Sequence, residues 1–192
     1  GTITTKVVNV KAPELQVNGG TINATTVQAN NPMTLAGGTV NAAKVIATGA
    51  MDITGSTVNT GTGEGLVKAA SINMTAGQVN GNALNVNATG DFTQSGGSII
   101  ATTAKLSASH DIEQSGGSIS ATTVNLTAGG EINQTAGSIV ATNTVATAGA
   151  DLSLASNANK LQNVSIEALD GNANIVSGND VEGALNVHTV GI

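Results

Sequence analysis

DFTQSGGSIIATTAKLSASH (residues 91–110), DIEQSGGSISATTVNLTAGG (111–130) and EINQTAGSIVATNTVATAGA (131–150) follow one another without a gap. Three tandem copies at a single twenty-residue period are the sequence signature of a solenoid. Within each copy lie three short alternating segments, for example Ile112-x-Gln114, Ile119-x-Ala121 and Val124-x-Leu126-x-Ala128. Alternation at period two means strands whose residues point to opposite faces. The β-branched Val, Ile and Thr favour that state, and the intervening Gly, Asn and Ser supply turns. The reading is an all-β fold, a single-stranded parallel β-helix with three strands per coil of about twenty residues. About nine to ten coils at ~4.8 Å each make a rod on the order of 45 Å long.

The pattern extends outward from the three copies. GTITTKVVNVKA at residues 1–12 resembles GSISATTVNLTA at 117–128, which puts Ile3 on Ile119, Val8 on Val124 and Val10 on Leu126. Residues 19–29 align in the same way with the second and third strands of the reference coils, and residues 33–47 with all three. GTGEG at 61–65 reads as a loop, and residues 71–90 are another clean copy. The whole of 1–192 therefore reads as one rod, regular to about residue 150 and looser from 151 to 192, with a small insertion near Gly171. By this phasing the chain starts at the second strand of a coil and closes near the end of a first strand.

Composition narrows the function classes. The 192 residues contain one Phe and no Tyr, Trp or Cys, and charged residues are 9% with a net charge of −6. An interior of Ile, Val, Leu and Ala suits a narrow core of stacked like side chains. All six cations are Lys. Nucleic-acid binding needs clustered Lys and Arg or aromatic stacking platforms, and neither is present. No apolar run approaches the ~20 residues of a membrane helix, so membrane insertion is not expected. The start of the sequence shows no secretory leader, as in a chain whose signal has been removed or in a segment of a longer one.

Gln94, Gln114 and Gln134 share parity with Phe92, Ile112 and Ile132, so they are expected inside as a ladder of amides that satisfy one another. Asp91, Asp111, Glu131 and Asp151 recur at one position in successive coils, with Asp52 a further member. Stacked outward at ~4.8 Å they would repel, unless solvent screens them or a divalent cation such as Ca²⁺ bridges them. The column is thus the candidate metal site. His110 and His188 fall in different repeats, and no nucleophile with an oxyanion arrangement accompanies them. Asn9, Gln28, Asn85, Lys105, Asn125, Ser165 and Asn186 are expected to form one outward polar column. Thr25-Thr26, Thr102-Thr103 and Thr122-Thr123 are expected to stack at a turn, adjacent rather than alternating, unlike an ice-matching array.

GGSISATTVNLTAGGEINQTAGSIVAT, residues 116–142, resembles the shaft repeats of filamentous-haemagglutinin-type exoproteins, the two-partner secretion adhesins of Gram-negative bacteria. The resemblance covers roughly residues 1–168. It implies a right-handed β-helix, secreted and displayed at the bacterial cell surface, that serves as a non-enzymatic adhesin or fibre shaft. The implied partners are flanking segments of a longer exoprotein, or other copies stacked head to tail, and a cellular receptor. The family's secretion domain carries NPNG- and NPNL-like motifs; here Asn31-Pro32 is followed by Met33-Thr34, so no functional residue carries over. The alternatives are a carbohydrate-active β-helix, for which the chain lacks aromatic sugar platforms and Arg, and an ice-binding solenoid.

Overall fold

The computed structural model describes residues 1–178 and 185–189. They form a 16-stranded sheet of parallel strands, wound into about nine coils, without a helix. Each coil presents a first, second and third face. The first face stacks Leu15, Met33, Met51, Ile72, Phe92, Ile112, Ile132 and Leu152 in one inward column. The second stacks Ile3, Ile22, Val40, Val58, Val79, Ile99, Ile119 and Ile139. On the third, Ala104 lies on Val124 and Leu106 on Leu126, as the sequence predicts. Phe92, the one aromatic residue, is buried among these aliphatic side chains.

The N-terminal coils are narrower than the sequence reading has them. The chain advances eighteen residues from Leu15 to Met33 and again to Met51, against twenty from Ile72 to Phe92. The difference lies at the corner between the second and third faces. Val27 stacks through Val45, Val67 and Val86 onto Leu106. Val8 lies on Val27 and Val10 on Ala29, so Val8 belongs to the Leu126 column and not to that of Val124. A shift of two residues keeps every side chain on its own face, so the hydrophobic pattern alone does not detect it.

At the C-terminal end Leu185 and Val187 stack on Val164 and Ile166, which places them on the third face. Residues 190–192, on which the expected end of the chain falls, lie outside the described residues. The insertion near Gly171 is present: the coil from Leu152 to Ala173 has twenty-one residues.

Gln94, Gln114 and Gln134 are buried, in the first-face column that holds Leu35, Ile53 and Met74 in earlier coils. Gln114 Nε2 donates to Gln94 Oε1 at 3.2 Å and Gln134 Nε2 to Gln114 Oε1 at 2.8 Å. Gln94 Nε2 also reaches the Ser118 carbonyl at 3.2 Å. The glycine column makes room for these amides. Gly117 has φ +69, and a Cβ there would lie 2.6 Å from the Gly96 carbonyl oxygen and 2.7 Å from Gln94 Nε2. Glycine alone meets both constraints.

The ladder ends on Asn159, which falls where the second-face Ile column would continue twenty residues after Ile139. Its amide turns into the core. It donates to Gln134 Oε1 at 2.6 Å and accepts from Gln134 Nε2 at 2.8 Å. Its Oδ1 also accepts the Ile139 backbone N–H at 2.8 Å, replacing a strand carbonyl, and its Nδ2 donates to the Val176 carbonyl at 3.1 Å. A buried Asn at this depth would be costly unpaired; here each of its atoms has a partner.

Thr144 does not share this satisfaction. It occupies the inward column of Val124 and Val164, is 1% exposed, and its hydroxyl has no hydrogen-bond partner. An unpaired buried hydroxyl costs about 1–3 kcal/mol, and valine has nearly the same shape. Thr144→Val should therefore raise the unfolding midpoint in denaturant without altering the slope. A lower midpoint would show that the hydroxyl is bonded in solution.

Candidate functional site

The acidic column lies at the corner before the first face, and each of its members precedes an inward first-face residue. The backbone ladder is continuous there: Phe92 N–H donates to the Asp111 carbonyl, Ile112 N–H to that of Glu131 and Ile132 N–H to that of Asp151. The side chains take up a second ladder. Asp91 Oδ1 accepts the Asp111 backbone N–H at 3.2 Å, and Asp111 Oδ1 accepts the Glu131 N–H at 2.7 Å. Asp151 Oδ1 accepts the Asn172 N–H at 2.7 Å. The aspartates of the column thus cap the turn of the following coil, because their carboxylates point along the rod axis at amides rather than at one another. Among the described residues, no group of three His, Asp or Glu side chains is close enough to share a metal ion.

Asp52 is not a member. It lies on the outward side of the first face, in register with Asn73, whose Nδ2 donates to it at 3.3 Å. The N-terminal counterpart of the acidic column is Glu14, which precedes Leu15. Hydrogen bonds from Thr34 Oγ1 at 2.7 Å and from Gln16 Nε2 at 2.8 Å hold its exposed carboxyl below the usual carboxylate range. With the folded pKa lowered, that contribution is present at neutral pH and is lost as pH falls through the lowered value.

The histidines stay apart. His110 lies beside Asp91, with Nδ1 3.7 Å from Oδ1, and both side chains are more than half exposed. His188 stacks on Glu167 on the outside of the third face. The loop expected at 61–65 is shorter than anticipated, since Glu64 and Gly65 already belong to the strand Glu64–Ala69.

The outward polar column also divides. Asn85, Lys105, Asn125, Ser165 and Asn186 occupy one line together with Val145. Asn9 and Gln28 sit two residues along, in the line that runs through Ile46, Lys68 and Asn87. For the same reason Thr26 stacks on Lys44 and not on Thr123, while Thr103 and Thr123 do stack.

The sequence reading passed over a second amide ladder, outside the second face. Asn41 Nδ2 donates to Asn23 Oδ1 at 2.7 Å, Asn59 to Asn41 at 2.8 Å and Asn80 to Asn59 at 2.9 Å. The signal was present as Ile-Asn or Val-Asn at residues 22–23, 40–41, 58–59 and 79–80, but at steps of eighteen, eighteen and twenty-one residues rather than twenty. Thr21, Thr39 and Thr57 form the parallel line two residues before it. This is an alternating Thr-x-Asn array whose amides bond along the rod rather than outward.

No family model, curated protein or solved structure matches the chain.

One measurement separates a capping column from a cation column. The melting temperature should be the same in calcium and in chelator, and Asp111→Ala should cost about 1 kcal/mol while Asp111→Asn, which keeps an acceptor, costs less. A rise of several degrees with calcium, abolished by Asp111→Asn, would make the column a metal site.

Proposed function

We propose that the chain is a stiff, non-enzymatic shaft of an exported bacterial surface adhesin or fibre, of the filamentous-haemagglutinin type. The observation that carries this reading is the second-face column, which runs in register from Ile3 to Ile139. A rod in which each coil pairs its backbone with the next resists bending and spaces its ends apart. The repeated outer faces favour the same reading, because short polar side chains recur coil after coil and, among the described residues, no three acids or histidines converge.

Core positions are open at both described ends. Ile3 is 52% exposed at one, and Leu185 and Val187 are about half exposed at the other. In the proposed fibre these edges are covered by further coils, contributed by flanking segments of a longer exoprotein or by another copy. A sheet edge left uncovered is a template for pairing. Receptor recognition then falls to parts of the fibre that break the repeat.

Electron microscopy of the purified chain tests the reading. Straight rods on the order of 45 Å long, or multiples of that length which grow with concentration, are expected. Round particles, or cleavage of a polysaccharide in a glycan screen, would overturn it.

A further inference from the structure

The change in coil width leaves a feature on the rod that no stacking requirement explains. At the corner between the second and third faces, the strand Glu64–Ala69 pairs with the following coil from Glu64 onward, through Glu64↔Ala83, Gly65↔Leu84 and Leu66↔Asn85. Its register with the preceding, narrower coil begins only at Lys44↔Leu66. Glu64 and Gly65 are therefore a short strand edge in the middle of the rod. A groove of about 430 Å³ opens beside it, within the range of small-ligand sites.

The groove has the elements of a recognition site. Leu66, half-buried on the outward side, gives it an apolar floor, with Leu84 buried in the core beneath. Lys44, Leu66, Asn85 and Lys105 stand in one outward column, so the two ammonium groups bracket the groove at three coil rises, about 14 Å along the rod. Among the described residues neither lysine has a carboxylate within ion-pair distance, although the chain as a whole carries a net charge of −6. Asn85 Oδ1 is buried without a hydrogen-bond partner. A turn of that amide would bring its oxygen to the groove and leave it bonded once a donor arrives. Glu64 is the single acid on the rim.

We propose that this groove binds an extended, acidic peptide segment. Its main chain runs along the rod axis, across the strands, because the two lysines are separated along that axis; at ~3.4 Å per residue, side chains four apart on one face of an extended peptide match that spacing. Its carboxylates meet Lys44 and Lys105, and its stem between them lies over Leu66 and Asn85. The unpaired lysines decide the charge of the partner: a basic peptide would find two like charges against one Glu64.

The test uses the whole chain and a fluorescently labelled hexapeptide of alternating Asp and Val, with the Lys–Val counterpart as control. The Asp–Val peptide should bind, and the Lys–Val peptide should not. Binding should weaken by about tenfold in the Lys44→Ala, Lys105→Ala double variant, the order expected for two lost charge contacts. It should tighten in Glu64→Gln and remain unchanged in Lys11→Ala, Lys160→Ala, which removes two lysines elsewhere. Absence of binding at millimolar peptide, equal binding of both peptides, or equal losses in the two double variants would overturn the proposal. Circular dichroism and melting of each variant separate a lost site from a lost fold.

Discussion

The coil-to-coil backbone pairing fixes everything else in this protein. Once strands stack in parallel at ~4.8 Å, each side chain has its counterparts from the neighbouring coils as nearest neighbours. Only residue types that tolerate their own kind at that distance can fill a column. Aliphatic side chains do so by dispersion and burial. Amides do so because each carries a donor and an acceptor. Carboxylates do not, and the acidic corner shows the solution: Asp91, Asp111 and Asp151 each turn to a backbone N–H of the next coil. The glycine line through Gly97, Gly117 and Gly137 meets the same limit in its strictest form, since a Cβ would collide with the coil before it.

The two amide ladders show how one device serves different environments. In the N-terminal half it lies outside, from Asn23 to Asn80. In the C-terminal half it lies inside, from Gln94 to Asn159. The outer ladder loses little if a bond opens, because water can replace it. The inner one has no such substitute, and it ends on a residue whose two polar atoms are both satisfied. Asn159 therefore terminates the inner ladder and, in the same place, interrupts the second-face column of Ile residues.

Where repeats are identical, the fold could be read from the sequence. Residues 91–150 yielded the period, the three faces, the pairing of Ile99 with Ile119 and Ile139, and the inward glutamines. The reading failed where period-two alternation is degenerate. Val8-x-Val10 fits the Val124–Leu126 columns or the Leu126–Ala128 columns equally well by face and polarity, and only the width of the corner turn decides between them. The same degeneracy hid the Asn ladder and misassigned Asn9, Gln28 and Thr26. Asn159 was obscure for another reason: a polar residue in a polar stretch reads as loop until its partners in other coils are known. The groove beside Glu64 depends on a mismatch between neighbouring coils, so no single repeat contains it.

As a shaft, the molecule rests on one quantity, the advance per coil. Gln16, Thr34, Asp52, Asn73, Thr93, Glu113, Asn133 and Ser153 form one outward first-face column. The chain has no cysteine, so pairs of spin labels can be introduced along that column without background. Pulsed electron paramagnetic resonance on labels at Gln16 and Ser153 should give a narrow distance near seven coil rises, about 34 Å, and labels at Thr34 and Glu113 four rises, about 19 Å. Distances that grow in proportion to the number of coils would establish the stacked rod. Distances that do not scale with coil number, or that spread broadly, would contradict it.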